Sequence, residues 1–325
     1  MKVICVGSAS KDIFFPTKEG QVSVDDAKKI TFDLGGKYHI SNRFESLGGC
    51  AANQSVGLRR LGQEVSCYSS LGSDDFGEWI RKALEKEGIG TGFLRKEEDC
   101  PSGLSAIVVD ENSGDRVIFS NQEANERLVV ETEKLEGVDM VSAADLSGDW
   151  KGILGEIFDF CQKNEIKISF NPRRTNITED SDKVLELARK ANVFFLNKEE
   201  AKELLMNVGK YQEGMSEKKM LEILAGYGAK TAIITDGENG AWAIFQGKII
   251  QAKAVKQNAV DSTGAGDAFS SGFLAAYLQE KSLEECIAWG IVNGGNVVNY
   301  YGGVKGLLRE DEIEEKARSV EVVEI

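Results

Sequence analysis

Apolar runs and amphipathic stretches alternate along most of this chain, and that rhythm restricts the fold more than any other feature. Strand-like runs fall at 3–6, 65–71, 141–146, 166–170, 193–196 and 231–235. Between them, helical patterns cover 50–61, 74–86, 153–163, 180–190, 198–206 and 216–226. The first helix stops at Gly62, and the second carries acidic residues in its first turn, where they complement the helix dipole. Such alternation predicts an α/β fold, a mostly parallel sheet with helices on both faces. The last third passes from strand-like pieces at 241–245 and 248–252 to long helices over 267–279 and 283–301.

Two regions break the rhythm. Residues 14–47 and 93–120 are strand-like without helical periodicity, and the second contains a turn at Glu111-Asn112-Ser113-Gly114. They predict one small projecting sheet, either a lid that excludes water or a plain surface hairpin. The division is then a body of 1–13, 48–92 and 121–325 and a β-lid of 14–47 with 93–120.

Composition removes several roles. The net charge is −14, and Arg59-Arg60 and Arg173-Arg174 are only pairs, so no basic stripe for nucleic acid exists. No apolar run approaches the ~18 residues of a membrane span. Six cysteines without a C-x-x-C pair, and a single histidine, His39, argue against a zinc site. The opening residues form a strand pattern too short for a signal peptide, so a cytoplasmic protein with reduced thiols is expected. An acidic chain that handles phosphate must do so locally, with backbone N–H groups, a metal ion and a few cations.

The stretch Asp261-Ser262-Thr263-Gly264-Ala265-Gly266-Asp267 carries the chemistry. Its glycines let the backbone approach a ligand, and the helix behind it offers unpaired N–H groups to an anion. Asp267 at that spot is either an N-cap or a base that takes a proton from a hydroxyl attacking phosphate. Gly48-Gly49-Cys50-Ala51-Ala52-Asn53 opens the first long helix, and Asn53 suits a hydroxyl-bearing substrate or a buried backbone contact. Asp12 follows the first strand, at an edge where parallel sheets gather ligands, and reads as a hydroxyl acceptor or a turn aspartate. Asn197 and Glu200 follow another strand end and fit both water-mediated Mg²⁺ binding and a capping box. The loop from Thr235 through Gly237 to Gly240 fits a nucleotide or a hairpin turn. Arg173-Arg174 could hold a phosphate on the acceptor or lie on the surface.

In this order and spacing the segments resemble the ribokinase-like sugar kinases, the PfkB family, over essentially the whole chain. The Gly-Gly…Asn segment at 48–53 looks like one family signature and 261–274 like the other; Asn197-x-x-Glu200 is similar to the family's N-x-x-E motif. The resemblance implies a ribokinase-like fold whose α/β body binds nucleotide and whose small β-sheet lid covers the acceptor. It makes Asp267 the catalytic base and Gly264, Ala265 and Gly266 the anion hole. It gives Asp12, Gly49 and Asn53 to the acceptor, and Asn197, Thr235, Gly237 and Gly240 to ATP. Glu200 serves Mg²⁺ through water, and Asp261 matches a monovalent-cation position, so K⁺ rests on that residue alone. The implied activity is transfer of the ATP γ-phosphoryl to a hydroxyl of a sugar, with a nucleoside or sugar phosphate as alternative acceptors. The rival is a non-catalytic sugar- or nucleotide-binding regulator on the same fold. A homodimer is implied too, because the cover of such a lid is often the lid of a second subunit. Ribokinase itself commonly carries Lys in the segment where this chain has Cys50-Ala51, and relatives are often alanine-rich where it has Asn293-Gly294-Gly295-Asn296.

Overall fold

The computed structural model describes residues 1–19, 21–23, 29–112, 116–257 and 259–325. Its main sheet has nine strands, in the order Val322–Glu324, Lys248–Ala252, Ala241–Phe245, Thr231–Thr235, Val193–Asn197, Lys167–Asn171, Met140–Ala144, Lys2–Gly7 and Glu64–Tyr68. From Thr231–Thr235 to Glu64–Tyr68 every neighbouring pair is parallel. The remaining pairs are antiparallel. Alternate side chains of one strand serve opposite cores. Val3 and Cys5 join a core with the helices Cys50–Arg60, Ala265–Leu278 and Leu283–Val297. Ile4 and Val6 join a second core with Trp150–Lys163, Lys198–Asn207 and Glu217–Gly226. Burial on both faces is why these strands read as continuous apolar runs. The α/β expectation therefore holds, and among the described residues no helix is long and apolar enough to cross a membrane.

The two irregular regions meet in a separate four-stranded sheet, ordered Arg116–Asn121, Gly103–Asp110, Ser10–Thr17, Phe44–Gly48. Its central pair is parallel and its outer pairs antiparallel. Strand Ser10–Thr17 begins ahead of residue 14, so Asp12 sits on the lid sheet rather than at the end of a body strand. Arg95–Glu97 pairs with Ser70–Gly72 instead of joining the lid. That pairing also splits the run expected at 65–71, because the chain leaves the main sheet after Tyr68. Of the expected turn, Glu111 and Asn112 follow the strand, while Ser113 and Gly114 lie outside the described residues. The last long helix stops at Val297, four residues early, and the chain crosses back over the site through Gly302 and Gly303.

The first strand ends in a close approach. Gly7 has φ 148°, and a Cβ there would lie 1.8 Å from the Ala144 carbonyl oxygen of the neighbouring strand. Gly7→Ala should therefore cost about 2–4 kcal/mol through backbone strain and overpacking. Urea unfolding reads this directly, and an unchanged midpoint would refute it.

Candidate active site

Helix Ala265–Leu278 begins after Gly264, whose φ of 75° is left-handed. A Cβ at Gly264 would fall 2.4 Å from Gly303 Cα, so a side chain is excluded there. Gly266 opens instead on free space. Both glycines line a cleft of about 280 Å³ with Asp267, Cys50, Asp145 and Arg173. Ala265 does not line it, and its N–H goes to the Ser262 carbonyl at 3.3 Å. The helix starts two residues before the expected position, which puts Asp267 inside its first turn.

Asp267 is only 7% exposed. Burial pushes its carboxyl above the ordinary carboxylate range; hydrogen bonds from Asn53, Cys50 and Gln54 oppose the shift, and the nearby Asp145 charge adds to it. Asn53 Nδ2 donates to Oδ2 at 2.9 Å, and Gln54 Nε2 reaches Oδ1 at 3.4 Å. Gln54 is itself held from behind. Ser142 Oγ donates to its Oε1 at 2.7 Å, and Ser169 Oγ donates to Ser142 Oγ at 2.9 Å. These serines come from adjacent buried strands, so the sheet orients the Asp267 carboxyl through Gln54. Asn53 Oδ1 is buried and has no partner among the described residues. A buried acceptor left unpaired beside a raised carboxyl suits a hydroxyl donor.

Gly49, with φ 84°, opens helix Cys50–Arg60, and a Cβ on it would meet the Ser8 carbonyl oxygen at 2.5 Å. The N–H groups of Ala51 and Ala52 reach that same carbonyl, at 3.1 and 3.3 Å. The Cys50 N–H donates to Ser8 Oγ at 3.0 Å, and Ser8 Oγ donates to Asp145. Asp145 stands at φ 54° and pairs with Arg173 Nε at 3.0 Å.

Asp12, 5% exposed, accepts from Ser10 Oγ at 3.1 Å. Asp12, Gly49 and Asn53 do not line the cleft, although Asn53 holds Asp267 and the Asp12 and Asp267 charges act on each other. Asn197, Glu200 and Thr235 do line it. Asn197 and Glu200 also form the reciprocal capping box that their spacing predicts, at 2.9 and 2.8 Å. Gly237 and Gly240 lie outside the cleft lining. They belong to the hairpin between Thr231–Thr235 and Ala241–Phe245, and a Cβ on Gly240 would strike the Ala252 carbonyl oxygen at 2.1 Å. Asp261 sits ahead of the turn and is buried.

Sequence reasoning missed Gln54, Asp145 and the serine pair. Asp145 was hidden inside an expected strand that ends at Ala144, one residue earlier. The rule that points to Asp12 and Asn197 would have found it.

The chain belongs to the pfkB family of carbohydrate kinases, whose profile matches residues 1–308. It is 30% identical over 247 residues to ribokinase of Haemophilus influenzae, covering 75% of this chain and 78% of that one. Ribokinase of Bacillus subtilis is 27% identical over 322 residues, covering 97% and 99%. The crystal structure of the Methanocaldococcus jannaschii nucleoside kinase, an archaeal member of the ribokinase family, superimposes with a TM-score of 0.76 at 22% identity over 98% of each chain. The ribokinase-like fold with its small sheet lid is thus as the sequence predicts.

Burial gives the site a pH signature. It raises the Asp12 carboxyl from 3.8 to about 6. Across that window the folded protein keeps a proton that the unfolded chain has lost. This contribution is complete below about pH 4 and is lost as pH rises through about 6. Relative to Asp12→Asn, which is neutral throughout, the wild type should lose up to ~3 kcal/mol over that range. Denaturant unfolding of both proteins checks this, and parallel stability profiles would count against it.

Proposed function

We propose that this carbohydrate kinase transfers the γ-phosphoryl of ATP to a hydroxyl of a sugar or sugar-like acceptor, with Asp267 as general base. The observation that carries the reading is the Asp267 carboxyl, buried in the first turn of a helix that begins at a left-handed glycine, beside the unpaired Asn53 Oδ1. A raised carboxyl at a helix N-terminus can accept the hydroxyl proton while nearby backbone N–H groups stabilise the transferring phosphoryl group. Asn53 and Asp12 hold the acceptor on the lid side, with Gly49 shaping the turn between them. Thr235, Asn197 and the adjoining loop flank the nucleotide. Asn197 and Glu200 each have one oxygen engaged in the cap, which fits holding Mg²⁺ through water rather than directly. The ion, when bound, would neutralise phosphate charge. The acceptor class spans sugars, sugar phosphates and nucleosides. Relatives include a deoxyribokinase, a 2-dehydro-3-deoxygluconokinase and an ATP-dependent 6-phosphofructokinase. A cytoplasmic setting belongs to the same reading.

ATP turnover against a panel of sugars, sugar phosphates and nucleosides tests the activity and names the acceptor. With that acceptor, Asp267→Asn should lower kcat by about 10²–10⁴ while ADP still binds. Near wild-type kcat would remove Asp267 from the role of base, and no turnover with any acceptor would favour the regulator.

Assembly is part of the proposal. Ile118 and Phe119 on the outermost lid strand are 47% and 64% exposed. A second subunit's lid would cover them, so sedimentation should show a homodimer, and Phe119→Asp should shift it to monomer. A wild type that sediments as a monomer at micromolar concentration would refute this.

A further inference from the structure

The family resemblance assigns Asp261 to a monovalent cation, and the groups around it do not fit one. Its side chain is 1% exposed, so its charge needs compensation inside the protein. Oδ1 accepts from the Thr263 N–H at 3.0 Å and from Thr263 Oγ1 at 2.7 Å. Oδ2 accepts from the Gly302 N–H at 3.0 Å. The C-terminal loop thus turns a donor toward Asp261, where a cation would need carbonyl oxygens. One carbonyl of that loop, Val298 O, already accepts two N–H groups, from Val260 at 2.7 Å and from Asp261 at 3.2 Å. The full positive charge comes from elsewhere. Arg116, at the start of the outermost lid strand, places Nε 3.7 Å from Asp261 Oδ1. Its Nη1 donates to Ser262 Oγ at 2.6 Å.

We propose that the Arg116 guanidinium, delivered by the lid, takes the place of a monovalent cation at Asp261 and makes the phosphate-binding turn independent of K⁺. The inference rests on the kinase reading only for what the turn binds. Only two residues separate Asp261 from Gly264, so whatever fixes the carboxylate also fixes the turn ahead of the anion helix. A guanidinium is permanently charged, planar and weakly hydrated, which suits a buried carboxylate. It also ties the lid edge to the phosphate turn, a link that a diffusible ion cannot make.

The test compares KCl with tetramethylammonium chloride at equal ionic strength, using thermal unfolding and ADP titration. Wild-type melting temperature and ADP affinity should be the same in both salts. Arg116→Ala should bind ADP about tenfold more weakly in both, the loss expected when one charge-assisted contact is removed. Guanidinium ion at a few millimolar, far below denaturing concentrations, should restore the affinity, and K⁺ should not. Arg116→Lys, which keeps the charge, should retain most of the affinity. K⁺ stabilisation of the wild type, or an Arg116→Ala protein indistinguishable from wild type, would overturn the proposal. So would a loss that guanidinium does not restore, since that reduces Arg116 to lid packing. A wild type that binds no ADP in either salt strikes the kinase reading alone, because the melting curves still judge the cation. In that case a melting temperature raised by K⁺ overturns the proposal, and equal melting temperatures sustain it.

Discussion

Everything in the site depends on how closely two helices approach. Cys50–Arg60 and Ala265–Leu278 touch so tightly that a Cβ on Gly57 would fall 2.1 Å from Ser271 Oγ. That contact brings Asn53 from one helix to Asp267 on the other. Each helix begins at a glycine with positive φ, 84° at Gly49 and 75° at Gly264. Two helix N-termini, each bearing partial positive charge, are therefore set near one buried carboxyl. Burial raises the affinity of Asp267 for a proton, and the amides of Asn53 and Gln54 limit the rise. The serines behind Gln54 extend this control into the middle of the sheet.

The net charge of −14 makes such local arrangements necessary. The long-range field of the protein repels phosphates, so attraction must come from groups within a few ångströms. Helix termini are such groups; Arg173 lines the cleft, and the lid arginine Arg116 lies beside the turn before Gly264. Each arginine is held by a carboxylate, Arg173 by Asp145 and Arg116 by Asp261. Pairing fixes their positions and moderates their charge. Lys198 is held in the same way, between Asp236 and Glu217.

The fold class was legible because strands buried on both faces leave continuous apolar runs and helices on both faces leave a regular period. The lid was legible as an interruption of that period. Its boundaries were not, because Ser10–Thr17 leaves the first strand after only two residues, too short a break to register as a change of sheet. Local signals, turn glycines and strand ends, single out Asp267, Gly264, Gly266, Asn53, Asn197 and Thr235, and all of these but Asn53 line the cleft. Gln54, Ser142 and Ser169 carry no such signal. A serine within an apolar strand becomes informative only when its partner is known, and Ser142 and Gln54 are separated by 88 residues. Arg116 lies 146 residues from Ser262, so its role depends wholly on the lid folding back over the body.

Helix Ala265–Leu278 buries eleven of its fourteen residues, and its partner helix approaches so closely that a Cβ on Gly272 would meet the Trp289 carbonyl oxygen at 2.6 Å. Such a rod has almost no solvent-facing surface on which substitutions accumulate harmlessly. Divergence among proteins with this architecture is thereby channelled toward the lid and the loops at strand ends, where side chains change without disturbing the core. Engineered substitutions should be placed in the lid strands first, with helix Ala265–Leu278 left untouched.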